Sequence, residues 1–502
     1  MAGAVTAAKR KATQARAAAP ALLQRIEVIS NESKTSSVSL ISGTVRVLYW
    51  ESILSDTVSA SVVFTDAGNT MTRTKSGQGH GKRRKKVSAV EGLPIIGEEQ
   101  VELKFTDNND NTISFGKSSD NNLYINKITA LPTDSQTTNK SYEINLVSKE
   151  YIDNEKSRVR VCRRGEVSDH VKFILEDVLK TEKDILLDDT KEPLDYVGNN
   201  RKPFYAINRL STKAVSSENQ GLGASAGYFF FETSEGYHFK SIDTLLSGTQ
   251  KKSIIYNETP DTAGKGIPPG YDIKALTLDV ENRINVQKKL QMGAYSTRSI
   301  TFDPFTTQYD VQTLDAFNEE GQKKINQEGI KLAGKRLPVQ NDVFTKQGMD
   351  SEFSRTTFLL SSTGYRCLGG TEEQLDECVE ENLKTKLIVN QSIMRYNQLF
   401  ASQITITIPG EFSLHAGDTV FLDIPQISES ENKSCGDEVN KEDGGLYIIA
   451  DLCHYITAKE TYTKLNLIRD SFGRDGNPTK GKTFSNDQAS KVMDANFLPN
   501  IK

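Results

Sequence analysis

Residues Gly476 to Thr483, GNPTKGKT, satisfy by letter the spacing of a phosphate-binding loop, GxxxxGK[ST]. In such a loop glycine amides wrap the phosphates, the lysine neutralises their charge and the hydroxyl holds magnesium. That chemistry needs a parallel α/β core behind the loop. Only 19 residues follow Thr483, so Gly481, Lys482 and Thr483 are expected to form a surface loop that binds no nucleotide. Lys482→Ala is expected to leave assembly unchanged. The five histidines, His80, His170, His238, His415 and His454, fall at no metal-ligand spacing and form no HExxH. His170 is expected half-exposed on a helix face. His238 and His454 lie in strand-like sequence, where a hydrogen-bonded packing role is the ordinary one. No GxSxG elbow marks a nucleophilic serine. Glu372 and Glu373 sit in polar sequence and read as solvated carboxylates rather than a glycosidase pair.

The cysteines Cys162, Cys367, Cys378, Cys435 and Cys453 are odd in number, widely spaced and without a CxxC pair. That is neither a disulfide framework nor a zinc site, and it suits a reducing cytoplasm. Cys367 and Cys378 could bridge if oxidised, but free thiols are expected. No catalytic residue, cofactor site or metal site is assigned.

Two cationic segments stand out from a chain whose net charge is −4. One is Lys9, Arg10, Lys11 and Arg16 in an Ala-rich, acid-free stretch, which imitates an organellar transit peptide but reads as a flexible arm over 1–24. The other is Lys82, Arg83, Arg84, Lys85 and Lys86 in a Gly-rich loop, 72–87, between strand-like flanks. Neither has the interleaved aromatics or helix that nucleic-acid recognition uses. Docking on an acidic protein neighbour, or plain solvation, fits them better. No apolar run approaches a membrane span, so no membrane anchor is expected.

The elements behind these residues are mostly strands. In 25–165, Val45 and Val47, then Val58, Ala60, Val62 and Phe64, then Val101, Leu103 and Phe105, then Val159 and Val161 alternate with polar residues, the period of half-buried strands. After Gly165 the period becomes helical, with Val167, Val171, Ile174 and Val178 on one face, and Ile207 and Leu210 point inward from a second helix. Tyr228 to Phe231 is a fully apolar strand, SEG a turn and YHFKSI a second strand. Residues 166–290 are therefore expected to be an α/β insertion, with a helix near Val280 to Leu290. A longer helix over 380–400 carries Val389, Ile393, Tyr396 and Phe400. Alternation returns in 403–425, 445–456 and 461–472, so 291–473 reads as a second β domain and 474–502 as a polar tail. The pattern in 318–355 gives no firm element.

Three stretches, taken in order, resemble baseplate hub proteins of contractile-tailed phages, the late control protein D-like family. In GYFFFETSEGYHFKSIDTLL the similar residues are Phe229, Phe230, Phe231, Glu232, Gly236, Phe239, Ser241 and Ile242. In ITITIPGEFSLHAGDTVFLDIP they are Pro409, Gly410, Gly417 and Asp418, and in GLYIIADLCHYI the residue is His454. The first β domain, ending YEINLVSKEYIDNEKSRV, is also similar. The resemblance spans about 25–473; loop 72–87, region 318–380 and both termini match nothing in it.

The resemblance implies a mainly β chain with two tube-type β-barrels flanking a small α/β domain. It implies a homotrimer whose barrels form a pseudo-sixfold ring. That ring would join a sixfold tail tube or its initiator to a threefold central spike, with baseplate wedge proteins around it. A structural, non-enzymatic role in the virion tail follows, with assembly in the host cytoplasm. The rivals are a tail-associated cell-wall-degrading enzyme and another tail-tip binding protein. The two barrels are expected at 25–165 and at 290–345 with 395–470. Phe230 and Phe239 are expected on facing strands, anchoring the insertion to a barrel.

Overall fold

A computed structural model describes residues 20–31, 36–68, 71–75, 83–116, 121–132, 139–191, 193–217, 226–256, 271–282, 286–294, 296–302, 307, 309–315, 355–360, 388–400, 402–424 and 443–469. The chain is mainly β. The N-terminal strands pair in the order Thr44–Ser52, Ser59–Asp66, Lys140–Ser148, Leu123–Ala130, Gln100–Thr106, Leu22–Ile29 and Ser37–Ser39. The alternating residues explain it: Val47, Val58, Ala60, Val62, Phe64, Val101, Leu103 and Phe105 all point into one core. Val45 departs from its expected place. The register slips between Thr44 and Arg46, and the bulge turns Val45 outward.

The C-terminal strands form a second core of Ile404, Ile406, Ile408, Val420, Leu422, Tyr447, Ile449, Leu465 and Leu467. Their pairings run from Ser402–Pro409 through Thr461–Arg469, Gly445–Thr457, Thr419–Asp423 and Gln250–Tyr256 to Ile273–Ala275. The chain continues into Thr277–Asn282, which pairs back on Ser402–Pro409. Two sequence assignments change here. Gln250–Tyr256 and Ile273–Asn282, expected in the α/β insertion, are strands of this sheet. Val280 lies in a strand, and the helix expected from it starts only at Val286.

The strands expected to complete the second barrel stand apart. Ser296–Phe302, Tyr309–Asp315 and Arg355–Leu360 make a separate three-stranded sheet. Its burial is inverted. Thr297, Ser299 and Thr301 are buried and Asn390 of helix 388–399 donates to Ser299 (2.9 Å), while Phe302, Tyr309, Val311 and Phe358 are exposed.

The two β segments are one sheet. Strand Gly445–Thr457 pairs with Thr44–Ser52 from Asp451↔Ser52 to Thr457↔Arg46, so residues four hundred positions apart in sequence are hydrogen-bonded neighbours. Phe412 and Ile456 belong to the N-terminal core, which carries the seam from one segment into the other.

The α/β unit has helices Val167–Phe173 and Pro203–Ser211 over the strands Ile185–Leu187, Gly236–Ser241 and Tyr228–Thr233. Val159, expected in the first β domain, packs in this unit, and the following strand is Cys162–Gly165, paired with Leu194–Val197. His170 is buried rather than half-exposed; its ring Nε2 bonds the Leu194 carbonyl oxygen at 2.9 Å.

Candidate functional site

The apolar strand Tyr228–Thr233 is buried on both faces because two different cores claim its alternate residues. Tyr228 and Phe230 point into the α/β unit's own core, where Phe230 stacks on Tyr237 at 5.5 Å and Phe239 on Tyr228 at 4.7 Å. Phe229 and Phe231 point the other way. They join Ile53, Ile242, Leu245, Leu399, Ala416, Ile448, Ala450 and Ile468, a cluster contributed by all three parts of the chain. Phe230 and Phe239 do face each other across the hairpin. The anchoring contact, however, is made by Phe229 and Phe231, because the period of two sends Phe230 inward.

Gly417 makes that contact possible. Its φ is +86°, and a Cβ there would lie 2.9 Å from Phe231 Cζ. Gly236, at the hairpin turn, has φ +142°, and a Cβ would meet the Asp184 carbonyl oxygen at 2.3 Å. Ser241 caps the helix Ile242–Ser247, its hydroxyl accepting from the Thr244 amide at 3.0 Å. Pro409 ends its strand opposite Tyr462, and Gly410 donates to the Thr461 carbonyl at 3.0 Å.

Buried polar groups complete the junction. Glu232 closes the apolar strand. One oxygen takes the Lys183 ammonium at 2.5 Å; the other accepts the Val58 amide at 3.1 Å and the Ser148 hydroxyl. Lys183 also holds Glu150 at 2.8 Å. Burial pulls the Lys183 amine down, yet the two carboxylates overrule it and raise its pKa. Burial, with the Glu150 charge added, raises Glu232 against the pull of Lys183.

Beside it, Glu51 accepts the Tyr49 hydroxyl at 2.7 Å, the Ser234 amide at 2.9 Å and the Ala416 amide at 3.0 Å, and meets His415 Nδ1 at 3.2 Å. Burial opposes its ionisation, but His415 and these donors win and hold its pKa at about 2. Asp418 accepts the His415 amide at 2.8 Å and pairs with Lys251 at 2.9 Å. Across the unit's far side, Arg395 of helix 388–399 donates to Asp243 and to the Ala226 carbonyl. His454 sits in the seam, stacked on Tyr49 at 6.0 Å, edge-on to Phe412 at 4.7 Å and bonded to Thr463 at 2.9 Å.

Acid should loosen this junction. Burial pushes His454 and His238 down to about 3, the Lys240 charge adding to the effect at His238. Below the ordinary 6.5 the unfolded chain binds protons that these folded histidines refuse, so stability falls with falling pH. His415 is raised, its carboxylate neighbours overruling burial, and acts in the opposite sense. Its contribution is full below 6.5 and is lost as pH rises through its folded pKa. Glu51 contributes fully above 4.5 and loses this only toward 2. Below 6.5 His415 is protonated in both states and adds no slope. The two lowered histidines therefore set the trend, a loss approaching about 2.7 kcal/mol per pH unit below about pH 6. Denaturant titrations across pH check it. His454→Phe should flatten the slope, and an unchanged slope would count against the assignment.

The cationic segments divide. Lys9, Arg10, Lys11, Arg16 and Lys82 lie outside the described residues, as do Gly481, Lys482 and Thr483. Arg83, Arg84, Lys85 and Lys86 are not in a loop as expected. They lie in the strand Arg83–Val87, paired with Met71–Lys75 in a two-stranded ribbon. Strands were missed because charge hid the alternation. Among the described residues no group of His, Cys, Asp and Glu could hold a metal ion, and no helix is long and apolar enough to cross a membrane.

In sequence this mainly β chain is similar to the baseplate hub proteins of phage tails. It is 23% identical over 319 residues, 62% of this chain and 68% of the other, to the probable baseplate hub protein gp334 of Vibrio phage KVP40. No family model matches the chain. Among solved structures, the tail protein from Neisseria meningitidis MC58 gives a TM-score of 0.45 at 9% identity, covering 89% of this chain and 97% of that one. The 43 kDa tail protein of prophage MuSo2 from Shewanella oneidensis gives 0.44 at 8% identity, covering 90% and 100%.

Proposed function

We propose that this chain is a structural baseplate hub subunit of a contractile phage tail and not an enzyme. The observation that carries the reading is where the hub-like residues fall. Phe229, Phe231, Glu232, Ile242 and Gly417 lie where two β segments and an α/β unit are bound into one body. A part that passes force between tube and spike needs such a body: its joints should be dry, aromatic and internally hydrogen-bonded. In this reading each β segment is a tube-type barrel, three chains form a pseudo-sixfold ring, and the ring adapts the sixfold tail tube to a threefold central spike. Tube or tube-initiator proteins lie above, the spike below and wedge proteins around. The cationic residues Lys9, Arg10, Lys11, Arg16 and Lys82 to Lys86 dock acidic neighbours. The location is the virion tail, after assembly in the host cytoplasm. Native mass spectrometry of the purified chain tests this directly, with three-chain particles expected. A monomer at every concentration, or hydrolysis of peptidoglycan by the pure protein, would sink it.

A further inference from the structure

Lys183, Glu150 and Glu232 form a constellation that charge balance alone does not require. One ammonium against two carboxylates leaves a negative charge in excess in a buried site, and a neutral Glu232 removes it. Burial and the Glu150 charge both push Glu232 toward that form. A protonated carboxyl group beside a lysine is also the electrophile that an amine can attack.

The atoms are placed for that reaction. The Lys183 nitrogen lies 2.5 Å from Glu232 Oε1, so the carboxyl carbon is one bond beyond it. Glu232 Oε2 accepts the Val58 amide at 3.1 Å and the Ser148 hydroxyl, two donors on the oxygen that would gather negative charge. Glu150 stands 2.8 Å from the same nitrogen, steadied by the Thr181 hydroxyl at 2.7 Å, and can carry its protons. The buried Tyr237 ring lies 5.4 Å from the nitrogen and helps keep water out. Folding holds amine and carboxyl together at an effective concentration that free side chains never reach, and a dry site favours condensation over hydrolysis.

We infer that Lys183 and Glu232 condense into an isopeptide bond, with Glu150 as the proton carrier. The Lys183 ammonium first passes a proton to the Glu150 carboxylate. The freed amine attacks the carboxyl carbon of protonated Glu232. The C–N bond forms, and the carbonyl electron pair moves onto Oε2, where Val58 and Ser148 hold it. Glu150 returns its proton to the departing Oε1 hydroxyl and takes a second one from the nitrogen. The C–O bond breaks, one water leaves and Oε2 regains its double bond. The products are an amide, a water and a protonated Glu150, with no net change in charge. Because the amine rests as the ammonium, the ion-paired set is the starting state and linked chain accumulates after folding. The bond ties the segment entering Ile185–Leu187 to Tyr228–Thr233, the two edge strands of the unit's sheet. It does not depend on the hub reading.

The test holds freshly purified full-length chain in its folded state, samples it over time and reads intact masses after denaturation. A species lighter than the sequence mass by one water should accumulate. Proteolysis of it should yield a branched peptide joining Lys183 to Glu232. Lys183→Arg, which keeps the cation, should stay at its own sequence mass. Glu150→Gln, which keeps an acceptor for the Thr181 hydroxyl, should slow the loss of water by about 100-fold. A parent chain that holds its sequence mass at every time, or a water loss mapped to other residues, overturns the bond and leaves the hub reading standing. Equal rates in Glu150→Gln and its parent overturn the role given to Glu150.

Discussion

Phe231→Ala is expected to cost about 3–5 kcal/mol and to free the α/β unit from the β body while leaving that unit folded. The side chain is fully buried, stacks on His238 at 5.0 Å and rests on the Gly417 backbone. Its loss opens a cavity between parts rather than within one. Phe230→Ala removes the same volume one residue away, at a similar cost, but empties the unit's interior against Phe204 and Tyr237. Hydrogen exchange separates the two. In Phe231→Ala the helices Val167–Phe173 and Pro203–Ser211 should stay protected while exchange rises along Gly445–Thr457. In Phe230→Ala those helices should lose protection first, with insoluble or unassembled protein as the result. Gly417→Ala should imitate Phe231→Ala more mildly, since its φ and the nearby ring both resist a methyl group. Identical exchange patterns in the two phenylalanine variants would refute the division of this strand between two cores.

Much of this was legible before any coordinates. The FFFET strand, the SEG turn and the facing pair Phe230 and Phe239 follow from a short, fully apolar run and a glycine that only a turn requires. The second β segment reads equally well, because Ile404, Ile406 and Ile408 alternate with threonines in a strand with one wet face. The seam between Thr44–Ser52 and Gly445–Thr457 was not legible. Strand pairing across four hundred residues leaves no local mark. Nor were Lys183, Glu150 and Glu51, whose carboxylates and amine look in sequence like any surface charge. One signal did exist: Glu232 is a charge inside an otherwise apolar, doubly buried strand, and such a group must find a partner. The inverted sheet was misassigned for the opposite reason. Its alternation is clear, but Thr297, Ser299 and Thr301 take the buried face and the apolar residues take the outer one.

Lys183→Met should be among the most damaging single changes in the chain, because it leaves two carboxylates in a site from which water is excluded. The side chains of Lys183, Glu150 and Glu232 are 2%, 4% and 0% exposed. Breaking a buried pair from one side costs about 3–5 kcal/mol, most of it the stranded charge rather than the lost attraction. Part of the strain has an outlet. Glu232, already raised by burial and by Glu150, would take up a proton first, and its amide and hydroxyl donors, Val58 and Ser148, would lose an ionised acceptor. Three segments meet there, so the loss should appear as one cooperative destabilisation of the first β segment and the α/β unit. The rescue follows from the same reasoning. Lys183→Met with Glu232→Gln removes the cation and one anion together, keeps an acceptor for Val58 and leaves Glu150 with the Thr181 hydroxyl at 2.7 Å. The double variant should recover most of the lost stability, giving a coupling of about 2–3 kcal/mol in a denaturant-based double-mutant cycle. Additive effects would mean that the three groups do not share one charge balance, and the junction would then be held by its aromatic residues alone.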